Sequence, residues 1–242
     1  MTLAQVDQAL PPLLAISHGT SSLSGRHAVT ALVDALVAAR PDLAIGAGFV
    51  DVQQPDVPSS LSLVAEEAGA VVVPLLLSAG FHVNVDLRGQ IRHGDRLAKA
   101  LGPDDRLVRI LLERLDECGL RATDRVVLAC AGSTDPRAVA DCHDTGARLS
   151  LAVGRPVRVG FISAAQPSLA DAVSAERAAG AGARVVVSSY LLAPGYFAEL
   201  ARAVHADLVT DPLLVPGREP DSTLVGLVFD RYDESIGSEP RS

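Results

Sequence analysis

The chain has 242 residues, of which 48% are hydrophobic and 21% charged, enough for one large α/β domain or two small ones. Its formal net charge of −8 argues against nucleic acid as a partner, because that binding rests on a basic field that displaces phosphate counterions. Aromatic residues make up only 3%, so the core is expected to be aliphatic and no platform for stacking bases is available.

Leu13–Ser17 (LLAIS) is a short apolar run behind Pro11-Pro12 and reads as a strand. The polar loop SHGTSSLSG follows. A helix comes next, in which Val29, Leu32, Val33, Leu36 and Val37 recur at three- and four-residue steps, with Pro41 just beyond its end. Leu43–Val52 reads as a second strand, and Pro55 and Pro58 open a helix containing Leu61, Val64 and Ala68 that closes near Gly69. Ala70–Leu77 is apolar throughout and is expected to be a strand buried on both faces, with Pro74 marking a bulge or an irregular end. The loop SAGFHVN leads into a helix predicted from about Val85 to Leu101, and Arg106–Leu112 is expected as a fourth strand. Strands alternating with helices predict parallel sheets with helical crossovers.

The sequence then begins again. Val126–Cys130 followed by AGSTDP echoes LLAIS-HGTSS, with Gly132 matching Gly19. GFISAAQPSLADAV echoes GFVDVQQPDVPSSL, placing Phe161, Gln166 and Pro167 each 112 positions after Phe49, Gln54 and Pro55. VVVSSYLLAPGYF echoes VVVPLLLSAGFH, with Gly195 matching Gly80 after a small gap. Three blocks in one order at a nearly constant offset mean a duplication, with the join near Glu113–Asp124. Beyond about Gly217 the tail is richer in charge, Pro and Ser; Thr223–Tyr232 could form one last helix, and the final ten residues are expected to be mobile.

The longest apolar run, Val71–Leu77, is far below the roughly 18 residues of a membrane span, and no basic-then-apolar leader opens the chain. Cys118, Cys130 and Cys142 are odd in number and form no C-x-x-C, so structural disulfides and a structural zinc site are not expected. These features predict a reducing, cytoplasmic compartment and no membrane association.

Parallel α/β sheets bind ligands at the carboxyl ends of their strands. His18 follows strand one, Asp51 and Gln54 end strand two, and His82 follows strand three, so two imidazoles and a carboxylate can converge on one cleft. Imidazole ligates borderline divalent metals and also titrates near neutral pH. The duplicate is an internal control: Ala131 stands at the place of His18, Ser163 at Asp51 and Phe197 at His82. The scaffold is repeated and the polar triad is not, which assigns the triad to function. Gly19, Thr20 and the Ser/Thr-rich loop could cradle an anion at a helix N-terminus, although the G-K-[ST] ending of a P-loop is absent. Arg88, Arg92, Arg96 and Lys99, with His93 beside them, follow His82 at helical spacing and make a basic stripe on one helix; it is either a solvated face or a contact for substrate carboxylates. His27, His93, His143 and His205 are expected in helices and at the surface, Cys130 and Cys142 in the core.

SHGT, GFVDVQQP and PLLLSAGFHVNVDL, in this order and separation, resemble the class II chelatases of the sirohydrochlorin cobaltochelatase and ferrochelatase type in their long two-module form. The resemblance implies two tandem modules, each a four-stranded mostly parallel sheet flanked by helices: residues 1–116 with the active site, residues 122–235 as the duplicate lacking the histidine pair, and a mobile tail of residues 236–242. It further implies insertion of Fe²⁺ or Co²⁺ into sirohydrochlorin. No organic cofactor is expected, the cysteine spacing gives no support for the iron–sulfur cluster that some chelatases carry, and the chain is expected to be a monomer or homodimer. His18 and His82 match the family's metal ligands and proton acceptors, and Asp51 its acidic third residue. Relatives often carry Glu at that position and again where Gln54 stands. The expected substrate contacts are Gly19, Thr20, Gln54, Ser78, Gly80, Phe81, Arg88 and Arg92. Two other readings remain: a non-catalytic metal or tetrapyrrole binder, and a histidine phosphatase, whose R-H-G pattern would need an arginine where Ser17 stands.

Overall fold

The computed structural model describes residues 10–65, 69–78, 87–180 and 182–237. Strands β1 (Leu13–Ser17), β2 (Ile45–Phe49), β3 (Val71–Pro74) and β4 (Arg96–Leu97) form one sheet in the order β2-β1-β3-β4, every pair parallel. Strands β5 (Arg125–Cys130), β6 (Val157–Phe161), β7 (Val185–Tyr190) and β8 (Leu208–Val209) repeat that arrangement as β6-β5-β7-β8. The helices are α1 (Leu23–Ala39), α2 (Val57–Val64), α3 (Asp105–Glu117), α4 (Pro136–Val153), α5 (Leu169–Ala179), α6 (Tyr196–Arg202) and α7 (Ser222–Gly237). Residues 87–90 add one helical turn. The strand expected over Ala70–Leu77 is shorter, Val71–Pro74, and Pro74 marks its end rather than a bulge. Among the described residues no helix is long and apolar enough to cross a membrane.

Side-chain alternation sorts each strand between two cores. Leu13 and Ala15 of β1, with Val126 and Leu128 of β5, face one continuous cluster between the sheets. Leu14 and Ile16 face outward onto Val57, Leu61 and Leu87, while Val127 and Ala129 face outward onto Leu169 and Val173.

Several sequence expectations need correction. Arg106–Leu112 is not a strand but lies in α3, where Leu107, Val108, Ile110, Leu111 and Leu115 are buried at helical spacing. The helix expected from Val85 to Leu101 is confined, among the described residues, to 87–90; the fourth strand is the two-residue β4. The basic stripe therefore does not exist as one helical face: Arg96 sits in β4 and Lys99 beyond it. Finally, helix α7 runs past Tyr232 to Gly237, so much of the tail expected to be mobile is helical, with Ile236 packed on the core. His93 and His205 also lie outside helices.

The two sheets exchange helices. α3, from the first half, packs on α4 and β7; α7, from the second, packs on β3 and α1. The hydrogen bonds are equivalent on both sides. Arg114 donates to the carbonyls of Pro212 and Leu213, and Arg231 donates to those of Ala100 and Leu101. Each acceptor pair lies 112 positions from its counterpart, so the exchange is itself part of the repeat.

Candidate functional site

In the strand order β2-β1-β3-β4 the chain leaves β1 toward β2 on one side and returns to β3 on the other. This reversal opens a crevice at the carboxyl ends of β1 and β3, where such sheets bind ligands. The second sheet has the same crevice between β5 and β7. The exchanged helices bring both to one cavity of about 440 Å³, lined by residues 17–21 and 75–78 from the first half and 130–133 and 190–198 from the second.

His18 leaves the end of buried β1 with its side chain exposed at this cavity. Its backbone is held by the turn after β2: Val50 N–H donates to the Ser17 carbonyl at 2.9 Å and Asp51 N–H to the His18 carbonyl at 3.0 Å. Gly19 has φ +93°, and a Cβ there would stand 2.1 Å from the Asp51 carbonyl oxygen, so the S-H-G-T loop needs glycine for both conformation and space. Thr20 N–H donates to Gln53 Oε1 at 2.8 Å, the Ser22 hydroxyl caps α1 by accepting from Gly25 N–H, and Arg26 Nε donates to the Thr20 carbonyl at 3.0 Å.

The duplicate reproduces the backbone hydrogen bonds of this loop, Ile162 N–H donating to the Cys130 carbonyl at 2.9 Å as Val50 does to Ser17. Gly132 has φ +95° with Ser163 O 1.8 Å from its would-be Cβ, and Ser163 N–H donates to the Ala131 carbonyl at 3.0 Å. Gly19 and the Asp51 backbone thus belong to the fold. The imidazole of His18 and the carboxylate of Asp51 are what the first half adds.

Of the residues expected at the site, His18, Gly19, Thr20 and Ser78 line the cavity. Asp51 is exposed but is not among the lining residues, although its neighbours Val52 and Gln53 are; its Oδ1 accepts from Val52 N–H at 2.7 Å, so one carboxylate oxygen closes its own turn. Gln54 is not among the lining residues; its Oε1 accepts from Asp56 N–H at 3.0 Å at the start of α2. Its neighbour Gln53 lines the cavity instead. Arg88 is exposed on the turn at 87–90 and is not among the lining residues. Arg92 is held in place: it pairs with Asp95 through Nε at 2.9 Å and Nη2 at 3.1 Å and donates to the Ala65 carbonyl. His82, Gly80 and Phe81 lie outside the described residues. Among the described residues no group of three or more His, Cys, Asp and Glu side chains could hold a metal ion.

Several cavity residues escaped the sequence reading. The Tyr190 hydroxyl donates to the Leu77 carbonyl at 2.9 Å, bridging the two halves, and burial pushes its phenol far above the usual tyrosine range, so the donor stays protonated. Cys130 and Cys142 are free thiols buried at the cavity floor, and burial pushes Cys130 well up. Tyr196 and Phe197 open α6 at the cavity, Phe197 in the place that the repeat assigns to His82. The loop before them is pressed against α1: a Cβ on Gly25 would lie 2.3 Å from the Pro194 carbonyl oxygen. The repeat carried the signal for this second wall, because Gly195 matches Gly80 at the same sheet edge.

The family model described as CbiX matches residues 12–118 and again residues 125–207, one match for each half. The chain belongs to the CbiX family. No curated protein sequence matches it. Among solved structures, this family member is similar to "SirB from Bacillus subtilis with Fe3+", at a TM-score of 0.73 and 20% identity over 93% of this chain and 95% of that one. It is also similar to the sirohydrochlorin chelatase SirB of Bacillus subtilis subspecies spizizenii in complex with cobalt, at a TM-score of 0.68 and 16% identity over 94% of this chain and 96% of that one. A third likeness is to the CbiX described as the terminal enzyme for biosynthesis of siroheme in denitrifying bacteria, at a TM-score of 0.62 and 14% identity over 93% of this chain and 99% of that one. These likenesses establish a shared fold of two modules.

Proposed function

We propose that the protein is a sirohydrochlorin chelatase that inserts Fe²⁺ or Co²⁺, the metal being a substrate together with the tetrapyrrole. The observation that carries this reading is the exposed His18 imidazole at the meeting point of two strand-end crevices, in a chain of the CbiX family. The solved relatives named for sirohydrochlorin, iron and cobalt support the substrate pair. On this reading residues 1–116 carry the chemistry and residues 122–235 build the opposite wall.

Insertion replaces two pyrrole N–H bonds by metal–nitrogen bonds and releases two protons. The chain must therefore accept protons near the ring and hold a partly desolvated ion loosely enough to pass it on. His18 accepts a proton or ligates the ion at the end of β1, and His82, which follows β3 in the sequence, is its partner. Asp51 has one carboxylate oxygen on Val52 N–H and keeps the other to orient an imidazole or attract the ion. Gly19, Thr20 and Ser78 contact the ring substituents, and the exposed Arg88 attracts their carboxylates at longer range. The cell compartment is cytoplasmic on this reading, in keeping with three free thiols.

The test is an anaerobic absorbance assay of metal insertion into sirohydrochlorin. His18→Ala and His82→Ala are each expected to lower kcat/KM at least a hundredfold, the usual scale for a removed proton acceptor. Wild-type rates in both variants would refute the assignment. Asp51's engagement with its own turn favours a second reading, a carrier that binds without inserting. Tight binding with no turnover by the wild type would establish it.

A further inference from the structure

Of the eight aromatic residues, five Phe and three Tyr, two stand side by side at the cavity mouth: Tyr196 is 67% exposed and Phe197 38%. Their ring centroids are 6.0 Å apart at an interplanar angle of 55°. No other aromatic residue is among the exposed large hydrophobics of the described chain. Adjacent exposed apolar side chains at the mouth of a cavity mark a place for a ligand to cover.

Their position is fixed rather than incidental. The preceding residue, Gly195, lies against the His18 loop, with Thr20 Oγ1 3.1 Å from where its Cβ would be, and Pro194 abuts Gly25 of α1. The aromatic pair and His18 therefore belong to walls that cannot move independently. The repeat makes the contrast chemical: where the first half carries an imidazole, the second carries the phenyl ring of Phe197 at the matching position. Leu191, Leu192, Ala193 and Pro194 extend the same apolar edge. One wall carries the imidazole of His18, and the edge facing it, from Leu191 to Phe197, carries no imidazole or carboxylate.

We infer that Tyr196 and Phe197 form the surface against which the flat conjugated ring of the tetrapyrrole lies, so that the duplicate module, stripped of its histidines, positions the macrocycle for the module that kept them. This inference rests on the chelatase reading and assigns the two aromatic residues a positioning role in it. Such a surface acts on ring binding and leaves proton removal to the other wall. Its loss raises KM and leaves kcat in place.

The experiment compares wild type, Tyr196→Ala, Phe197→Ala, the double variant and the conservative Phe197→Tyr. Leu151→Ala, exposed on α4 and outside the cavity lining, serves as control. The readouts are KM and kcat for sirohydrochlorin with Co²⁺, and the Kd of metal-free uroporphyrin, a carboxylated ring, from its Soret shift. Each alanine variant is expected to raise KM and Kd about tenfold, equivalent to about 1.4 kcal/mol, with kcat within twofold and Phe197→Tyr close to wild type. Because both side chains are exposed, urea midpoints should not move. Unchanged KM and Kd in the double variant, with turnover intact, would overturn the inference and leave the chelatase reading standing. A fall in kcat at constant KM would also overturn it. A wild-type protein that neither binds uroporphyrin nor inserts metal would remove the reading itself, and the inference with it.

Discussion

Gly19→Ala separates the cost of the scaffold from the cost to the site. At φ +93° an L side chain is disfavoured by about 1–2 kcal/mol relative to glycine. The added Cβ would stand 2.1 Å from the Asp51 carbonyl oxygen, a backbone atom that must yield by about an ångström. That shift weakens the Asp51 N–H bond to the His18 carbonyl, worth about 1 kcal/mol. The sum is a loss of about 2–4 kcal/mol, which for a chain of this size lowers Tm by about 5–15 °C. Gly132→Ala meets the same geometry in the duplicate, at φ +95° and 1.8 Å from Ser163 O, and should cost about the same. Only Gly19→Ala displaces His18, so at equal stability loss, measured by urea denaturation, it should reduce metal insertion at least tenfold more than Gly132→Ala. A Gly19→Ala protein within about 0.5 kcal/mol of wild type would refute the steric argument. Equal activity losses in the two variants would refute the link from the loop to His18.

Tyr190→Phe removes the hydroxyl that joins the halves at Leu77 and leaves a carbonyl without that donor; a urea-measured loss of about 1 kcal/mol is expected, and no change would show that water replaces the bond. In Asp124, bonds from Arg184 hold the carboxyl below the ordinary 3.8; in Asp95 burial pushes upward but is outweighed by Arg92 and the amides of Gly69, Arg92 and Ala70. Both depressed values mean stabilisation that is complete above the unfolded pKa and lost as pH falls through the folded ones, so the urea midpoint should be flat from about pH 7 to 5 and fall below about pH 4. Asp124→Asn should flatten that acid limb, and an unchanged limb would contradict the assignment. A chain ending at Gly119 lacks α7 and exposes the face of β3 that α7 covers; its own α3, the counterpart of α7, can cover β3 of a second copy, so sedimentation should give a dimer, and a stable monomer would refute the equivalence of the two helices.

The strand that ends at His18 and its duplicate were legible because a buried parallel strand must be an uninterrupted apolar run, and LLAIS and VVLAC are each followed by a polar glycine loop. Arg106–Leu112 was misread because a short apolar run does not distinguish strand from helix. The repeat held the correction: Asp104 and Asp221, each followed by Leu-Val three positions on, both open helices, with Leu107 matching Leu224 and Ile110 matching Leu227. β4 was missed because two residues at a sheet edge need no apolar run. Yet Asp95 and Asp207, 112 positions apart, precede β4 and β8 alike. Arg92 was read as a free cation on a helical stripe, and only the folded chain shows its guanidinium on the buried carboxylate of Asp95.

By itself, then, the sequence determined the duplication, the parallel strand runs, the glycine turns and the asymmetry of the histidines, all of which follow from local pattern and from one half compared with the other. The tertiary structure decided which sheet each helix covers. An amphipathic face specifies that it will be buried but not against what, so the exchange of α3 and α7 is invisible in periodicity. That exchange brings the two strand-end crevices together, and with them the facing walls of His18 and Phe197.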